Sequence, residues 1–126
     1  MQSWLYIAAG GACGSVLRHA AQIGVQRVVG HPFPVGTLLV NVVGCLLIGV
    51  VTAIAGPLAW REEHRFAIMV GVLGGFTTFS AFGLETISLA DHGRLPLAIA
   101  NVVLSVALGL LAVWLGLRLG ERLVSA

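Results

Sequence analysis

Four apolar stretches fill this chain, at about residues 4–26, 37–59, 66–90 and 95–117. Each is close to the roughly 20 residues that an α-helix needs to cross the hydrocarbon core of a bilayer. Composition closes off a water-facing surface. Of 126 residues, 58% are hydrophobic and only 10% are charged, whereas a soluble domain carries about 25% charged residues. The expectation is an all-α membrane protein, one domain over residues 1–126 with four transmembrane helices.

Short polar segments separate the stretches: GHPFP at 30–34, REEHR at 61–65 and DHGR at 91–94. Glycine, proline and charge end helices there. An even number of crossings puts both termini on one side. The first stretch is expected to be a retained helix. It lacks a basic leader, and Arg18-His19 falls where a cleavable core is apolar.

The basic residues bear on orientation, and all seven are arginine. Arg61, Arg65, Arg118 and Arg122 lie on the side of the termini; Arg18, if it snorkels, joins Arg27 and Arg94 opposite. Four against three gives the positive-inside rule almost nothing to act on. The chain is therefore expected to insert both ways round and to pair as an antiparallel dimer, against a single topology set by other factors. A scattered net charge of +2 argues against a nucleic-acid partner. Cys13 and Cys45 have neither disulfide-framework nor metal-knuckle spacing and read as small hydrophobes. The four histidines form no i, i+4 pair and read as interfacial or solvated. With no nucleophile–base pattern and no phosphate loop, no enzyme is expected.

Small residues recur at helix-packing spacing: Gly10 with Gly14, Ser105 with Gly109, Gly116 with Gly120. Such pairs bring helix backbones together in lipid, either within one chain or between two. Polar residues inside the spans are few. Thr37 and Asn41 share a face of the second helix, and Asn101 and Ser105 share one on the fourth. Each pair reads as hydrogen-bonded glue between helices or, taken together, as aligned tracks along a polar path. Arg18 lies ~20 Å along the first helix from Trp4 at 1.5 Å per residue. It either snorkels to the far interface or attracts anions at a pore mouth. Glu85 reads as an entrance or packing residue.

The third stretch is interrupted by GGFTTFSAF at 74–82. Non-helical backbone at membrane depth persists only where protein or water satisfies it. The glycines are expected to end one half-helix and the threonines to cap the next; a plain glycine kink is the alternative. A true break exposes carbonyls that suit a small cation and amides that suit an anion. Phe79 and Phe82, three residues apart, are either packing or a pair of electropositive ring edges that replace part of an anion's water.

At this point the sequence resembles the small bacterial fluoride channels of the Fluc (CrcB) family. The matching elements are GGACGSVLRH at 10–19, GTLLVNVVGCLLIG at 36–49 and GGFTTFSAF at 74–82. Their order and spacing extend the likeness over essentially the whole chain. The resemblance implies a fluoride-selective channel of the bacterial inner membrane that exports fluoride passively, as an antiparallel dual-topology homodimer with two pores. It implies a structural sodium ion, not transported, held by the backbone carbonyls of Gly74 and Thr77 from both subunits. It places Phe79, Phe82 and Asn41 in the pore, Ser105 on the polar track of the last helix, Thr37 and Ser80 among the fluoride-binding hydroxyls, and Arg18 in an anion vestibule. Ala81 departs from the hydroxyl residue common in the family's TTFSTF, and Asn101 stands where some members carry tyrosine. A small multidrug exporter is the competing transporter, but such proteins carry an acid on helix 1, where this chain offers Arg18 and none. A non-transporting assembly subunit would explain the small-residue pairs but not the polar tracks.

Overall fold

The structure is a computed structural model and describes residues 2–125. Among the described residues the chain is helical with no strand. Helix α1 (Gln2–Val29) is followed by α2 (Val35–Ala55). The one-turn α3 (Glu62–Arg65) then runs into a π-helix (Phe66–Leu73) and the short α4 (Gly74–Phe76). Two extended residues interrupt the chain before α5 (Phe79–Asp91), and α6 (Leu95–Ser125) completes it. Helix α2, the run 62–91 and α6 are long and apolar enough to cross a membrane. The chain is a multi-pass membrane protein. Helix α1 has the length, at 28 residues, but carries Arg18, His19, Gln22 and Gln26 and is less apolar than the other three.

Local chemistry sets the ends. Helix α2 stops at Ala55, short of the expected residue 59, where Gly56-Pro57 follows. Proline has no amide to donate and disfavours helix at the residue before it. Helix α6 runs past the expected residue 117 to Ser125, and its end is polar on one face. There Arg118 donates to Glu121 at 3.2 Å and lies 5.8 Å from the Trp114 ring centroid. Gly30 and Gly93, at φ +60° and +73°, turn the chain out of α1 and α5, a conformation that costs glycine nothing.

The helices pack as two parallel pairs, α1 with residues 62–76 and α2 with α6. In both pairs the backbones touch. A Cβ on Gly10 would meet the Ala67 carbonyl at 2.5 Å, and one on Gly75 the Gly11 carbonyl at 2.6 Å. Across the other pair, a Cβ on Gly116 would run into the Leu46 carbonyl, and one on Gly120 would meet the Val50 carbonyl at 2.8 Å. The Gly10/Gly14 and Gly116/Gly120 pairs thus serve contacts within the chain. Gly109 does not share this role: a Cβ there would meet only the Cys45 sulfur, at an ordinary 3.6 Å. The core is correspondingly thin, with Val40, Leu73, Leu89, Ala98 and Ala112 among its buried apolar side chains. Most large apolar side chains point outward, as expected where lipid is as apolar as leucine.

Candidate functional site

Thr77 (φ −83°, ψ 158°) and Thr78 (φ −150°, ψ 117°) carry the break in the third helix. This corrects the expectation that the glycines end the first half-helix. Gly74 keeps helical angles, φ −64° and ψ −37°, and Gly75 uses its bare face to seat α1. The threonines do cap the second half: Thr78 Oγ1 accepts the Ala81 amide at 3.2 Å. Thr77 closes the first half, its amide and hydroxyl both donating to the Leu73 carbonyl at 3.0 Å.

The exposed backbone at Thr78 is satisfied from helix α2. Asn41 Nδ2 donates to the Thr78 carbonyl at 2.9 Å, and the Thr78 amide donates to Asn41 Oδ1 at 2.7 Å. One side chain thereby closes both polar groups of a residue that has left the helical ladder. Gly44 makes room for this crossing, since a Cβ there would overlap the Thr77 methyl. From helix α1, Arg18 Nη1 donates to the Thr77 carbonyl at 3.3 Å. Arg18 thus reaches inward to the break.

The clamp gives a stability prediction. Asn41→Leu leaves the Thr78 amide and carbonyl without their partner, and adjoining water replaces only part of the loss. The variant is expected to be less stable by about 1–3 kcal/mol. Denaturation of the purified protein in detergent measures it. An unfolding midpoint equal to that of the unmodified chain would remove the clamp from the account.

Two cavities adjoin the break, and another lies further along α5. One, of about 320 Å³, gathers Asn41, Phe79, Phe82, Ser105, Gly74 and Thr77. Among the described residues no charged side chain lines it. The two phenyl rings lie 5.3 Å apart between centroids, tilted by 46°. Phe82 is half-buried, whereas Phe79 is 83% exposed. The second cavity, of about 680 Å³, lies where α1, α2 and α5 meet and holds Thr37, Gln22 and Glu85. Gln22 Nε2 donates to Thr37 Oγ1 at 2.9 Å, which leaves the threonine hydrogen for Glu85 Oε1 at 2.7 Å. The third, of about 330 Å³, is lined by Arg18, His19 and Ser80. Ser80 Oγ is 3.3 Å from Thr78 Oγ1.

The candidate residues therefore separate into groups. Thr37, expected to share a track with Asn41, faces a different cavity. Ser105 reaches the phenylalanine cavity and donates, at a long 3.5 Å, to Asn101 Oδ1. Asn101 is only 1% exposed and donates to Thr86 Oγ1 at 2.9 Å, so it joins α6 to α5. Gln22 and Thr86 were not singled out from the sequence. Gln22 had a signal, because Arg18, Gln22 and Gln26 recur at i+4 spacing along one face of α1. Thr86 had none, since its partner Asn101 is distant in sequence.

Chemically, the phenylalanine cavity has two ends of opposite character. Helix α5 begins there, and its N-terminus is the positive end of its dipole. Phenyl edges add weak electropositive contacts without fixed charge, and the Ser105 hydroxyl, held only at 3.5 Å by Asn101, can turn to add another. Gly74 and Thr77, at the end of the preceding half-helix, line the same cavity, where the dipole of that half-helix has its negative end.

The family model described as "CrcB-like protein, Camphor Resistance (CrcB)" matches residues 5–117. Among curated relatives, the fluoride-specific ion channel FluC of Opitutus terrae is 50% identical over 119 residues, covering 92% of this chain and 90% of the relative. The protein of the same name from Rhizobium meliloti is 44% identical over 98% of this chain and 100% of its own. That of Acidobacterium capsulatum is 40% identical over 97% and 98%. The matched span takes in all of α2 and α5 and most of α1 and α6, and the chain belongs to the CrcB-like family.

Proposed function

We propose that this chain is the subunit of a fluoride-selective channel that lets fluoride leave the bacterial cytoplasm passively through the inner membrane. The observation that carries the reading is the uncharged cavity that brings Phe79, Phe82, Asn41 and Ser105 together at the start of α5. The relatives' name, fluoride-specific ion channel, supports the same choice of ion. A small anion must shed water to enter such a space. Ring edges, a hydroxyl and a helix N-terminus replace that water without a fixed positive charge that would trap the ion. Hydrogen fluoride crosses membranes neutral and dissociates in a less acidic cytoplasm, so a passive anion leak lowers internal fluoride without an energy source.

In this reading α1 is the fourth crossing, and two chains pair antiparallel with two pores. The 83% exposure of Phe79 supports the pairing, because a single chain leaves one wall of the passage missing. Arg18 and Ser80 line the anion vestibule, and Thr37, its hydroxyl held between Gln22 and Glu85, stands in the neighbouring cavity and not in the passage. The Gly74 and Thr77 carbonyls fit a structural sodium ion as hard oxygen donors. Gly74 presents a bare, exposed face, with only the Met69 carbonyl at 3.8 Å from where a Cβ would sit. Thr77's carbonyl takes the Arg18 guanidinium at 3.3 Å on one lone pair, which leaves the other for a cation. Two such pairs meeting on a two-fold axis would hold the cation that fixes the subunits.

Liposomes containing only this protein test the function. Loaded with potassium fluoride and opened to potassium flow by valinomycin, they are expected to release fluoride rapidly, while chloride-loaded liposomes retain their anion. Equal release of both ions, or no release above protein-free liposomes, would refute the reading.

A further inference from the structure

We propose that Asn101 is a positioning residue for the pore: acting through Thr86, it fixes the rotation of α5 that sets Phe82 in the passage. The inference rests on the pore reading given above and adds what aims the ring.

Helix α5 needs such a device. The two extended threonines uncouple it from the ladder of the preceding half-helix. Within the chain only Leu89 of α5 is a buried residue, so packing alone holds its rotation weakly. Helix α6, by contrast, is seated on α2 through backbone contact at Gly116 and Gly120. It is the rigid reference. Asn101 projects from it, 1% exposed, and Nδ2 donates to Thr86 Oγ1 at 2.9 Å.

The direction of the bonds follows from the donor. An amide nitrogen only donates, so Thr86 Oγ1 accepts and keeps its own hydrogen to give. That hydrogen goes to the Phe82 carbonyl at 2.7 Å. A threonine bonding back to the carbonyl four residues earlier is common and bends its helix slightly. Here Asn101 anchors that back-bond to another helix. The chain of contacts runs from α6 through Asn101 and Thr86 to the backbone of Phe82, whose ring faces Phe79 at 5.3 Å. A rotation of α5 would swing the Phe82 ring away from the passage.

Fluoride efflux from liposomes tests this, counted per assembled protein by gel filtration. Thr86→Val keeps the shape and removes the hydroxyl; Asn101→Leu removes the amide. Each is expected to lower flux by roughly three- to tenfold, and the pair together by no more than Asn101→Leu alone, which also frees Ser105, since both break one chain of contacts. Thr86→Ser keeps the hydroxyl and is expected to restore unmodified flux. In a Phe82→Ile background, read at raised protein density, Thr86→Val is expected to add no further loss. A role in stability alone would lower yield and leave flux per assembled protein unchanged. That result would overturn the proposal, as would losses from Thr86→Val and Phe82→Ile that multiply independently. Should Thr86→Val not assemble, the smaller Thr86→Ala is read by the same criteria. Unmodified flux in Phe82→Ile itself would refute the pore reading beneath the proposal; normal flux in Thr86→Val beside a deficient Phe82→Ile would refute the positioning alone.

Discussion

Phe82→Ile is expected to give a folded, assembled protein whose fluoride efflux is lower by an order of magnitude or more. The swap keeps bulk and apolar character but removes the electropositive ring edge. Were Phe82 only packing, a roughly volume-conserving change would cost about 1 kcal/mol of stability and leave flux in place. Phe79→Ile makes the sharper comparison. Phe79 is 83% exposed in the single chain, so its ring contributes little to the fold of that chain. A loss of flux in Phe79→Ile, with assembly unchanged by gel filtration, is a loss in the passage itself. Phe82→Met is expected to fall between, since a polarizable thioether replaces part of the ring's interaction. If folded Phe79→Ile and Phe82→Ile both conduct like the unmodified protein, the aromatic pore is wrong.

Much of the architecture was legible because lipid imposes length and apolarity on whatever spans it. The run at 95–117 and the interruption at 74–82 could both be read from the sequence, since charge and glycine stand out against an apolar background. The exact point of the break could not. Glycine relaxes a helix and also lets another backbone approach, and the sequence does not separate the two uses. At Gly75 contact with α1 prevails, and the chain leaves the helix at Thr77 and Thr78. The π-helical run at Phe66–Leu73 had no local signal either. Its residues, FAIMVGVL, suit an ordinary α-helix equally well.

The site was legible as a set of residue types and less so as a geometry. Asn41 was singled out as a polar group too costly to bury alone, and it does line the phenylalanine cavity. That it would spend both ends of its amide on Thr78 depends on a partner 37 residues away. Thr37 and Asn41 share a helical face, yet α1 and α5 close in around Thr37 and separate it into another cavity with Gln22 and Glu85. Spacing along one helix cannot show which neighbours divide its face.

Arginine placement carries the last prediction. With Arg18 turned to the Thr77 carbonyl, the count stands at Arg61, Arg65, Arg118 and Arg122 on the side of the termini against Arg27 and Arg94 opposite. Topology follows the Lys/Arg difference in short loops and near helix ends. A difference of two arginines is small enough for added charge to override it. Three lysines appended after Ser125-Ala126 should lock the termini inside. Three placed in the 30–34 loop should reverse the excess and lock them outside. If the working channel is an antiparallel pair, each locked variant alone lacks its partner, and fluoride efflux from cells expressing it is expected to fall by roughly tenfold or more, as the opposite orientation becomes scarce. Co-expression of the two variants supplies both orientations and is expected to restore efflux. Reporters fused to the C-terminus measure orientation in the same cells, so a failure to lock is visible directly. A variant shown to insert one way only, yet fully active alone, would refute dual topology.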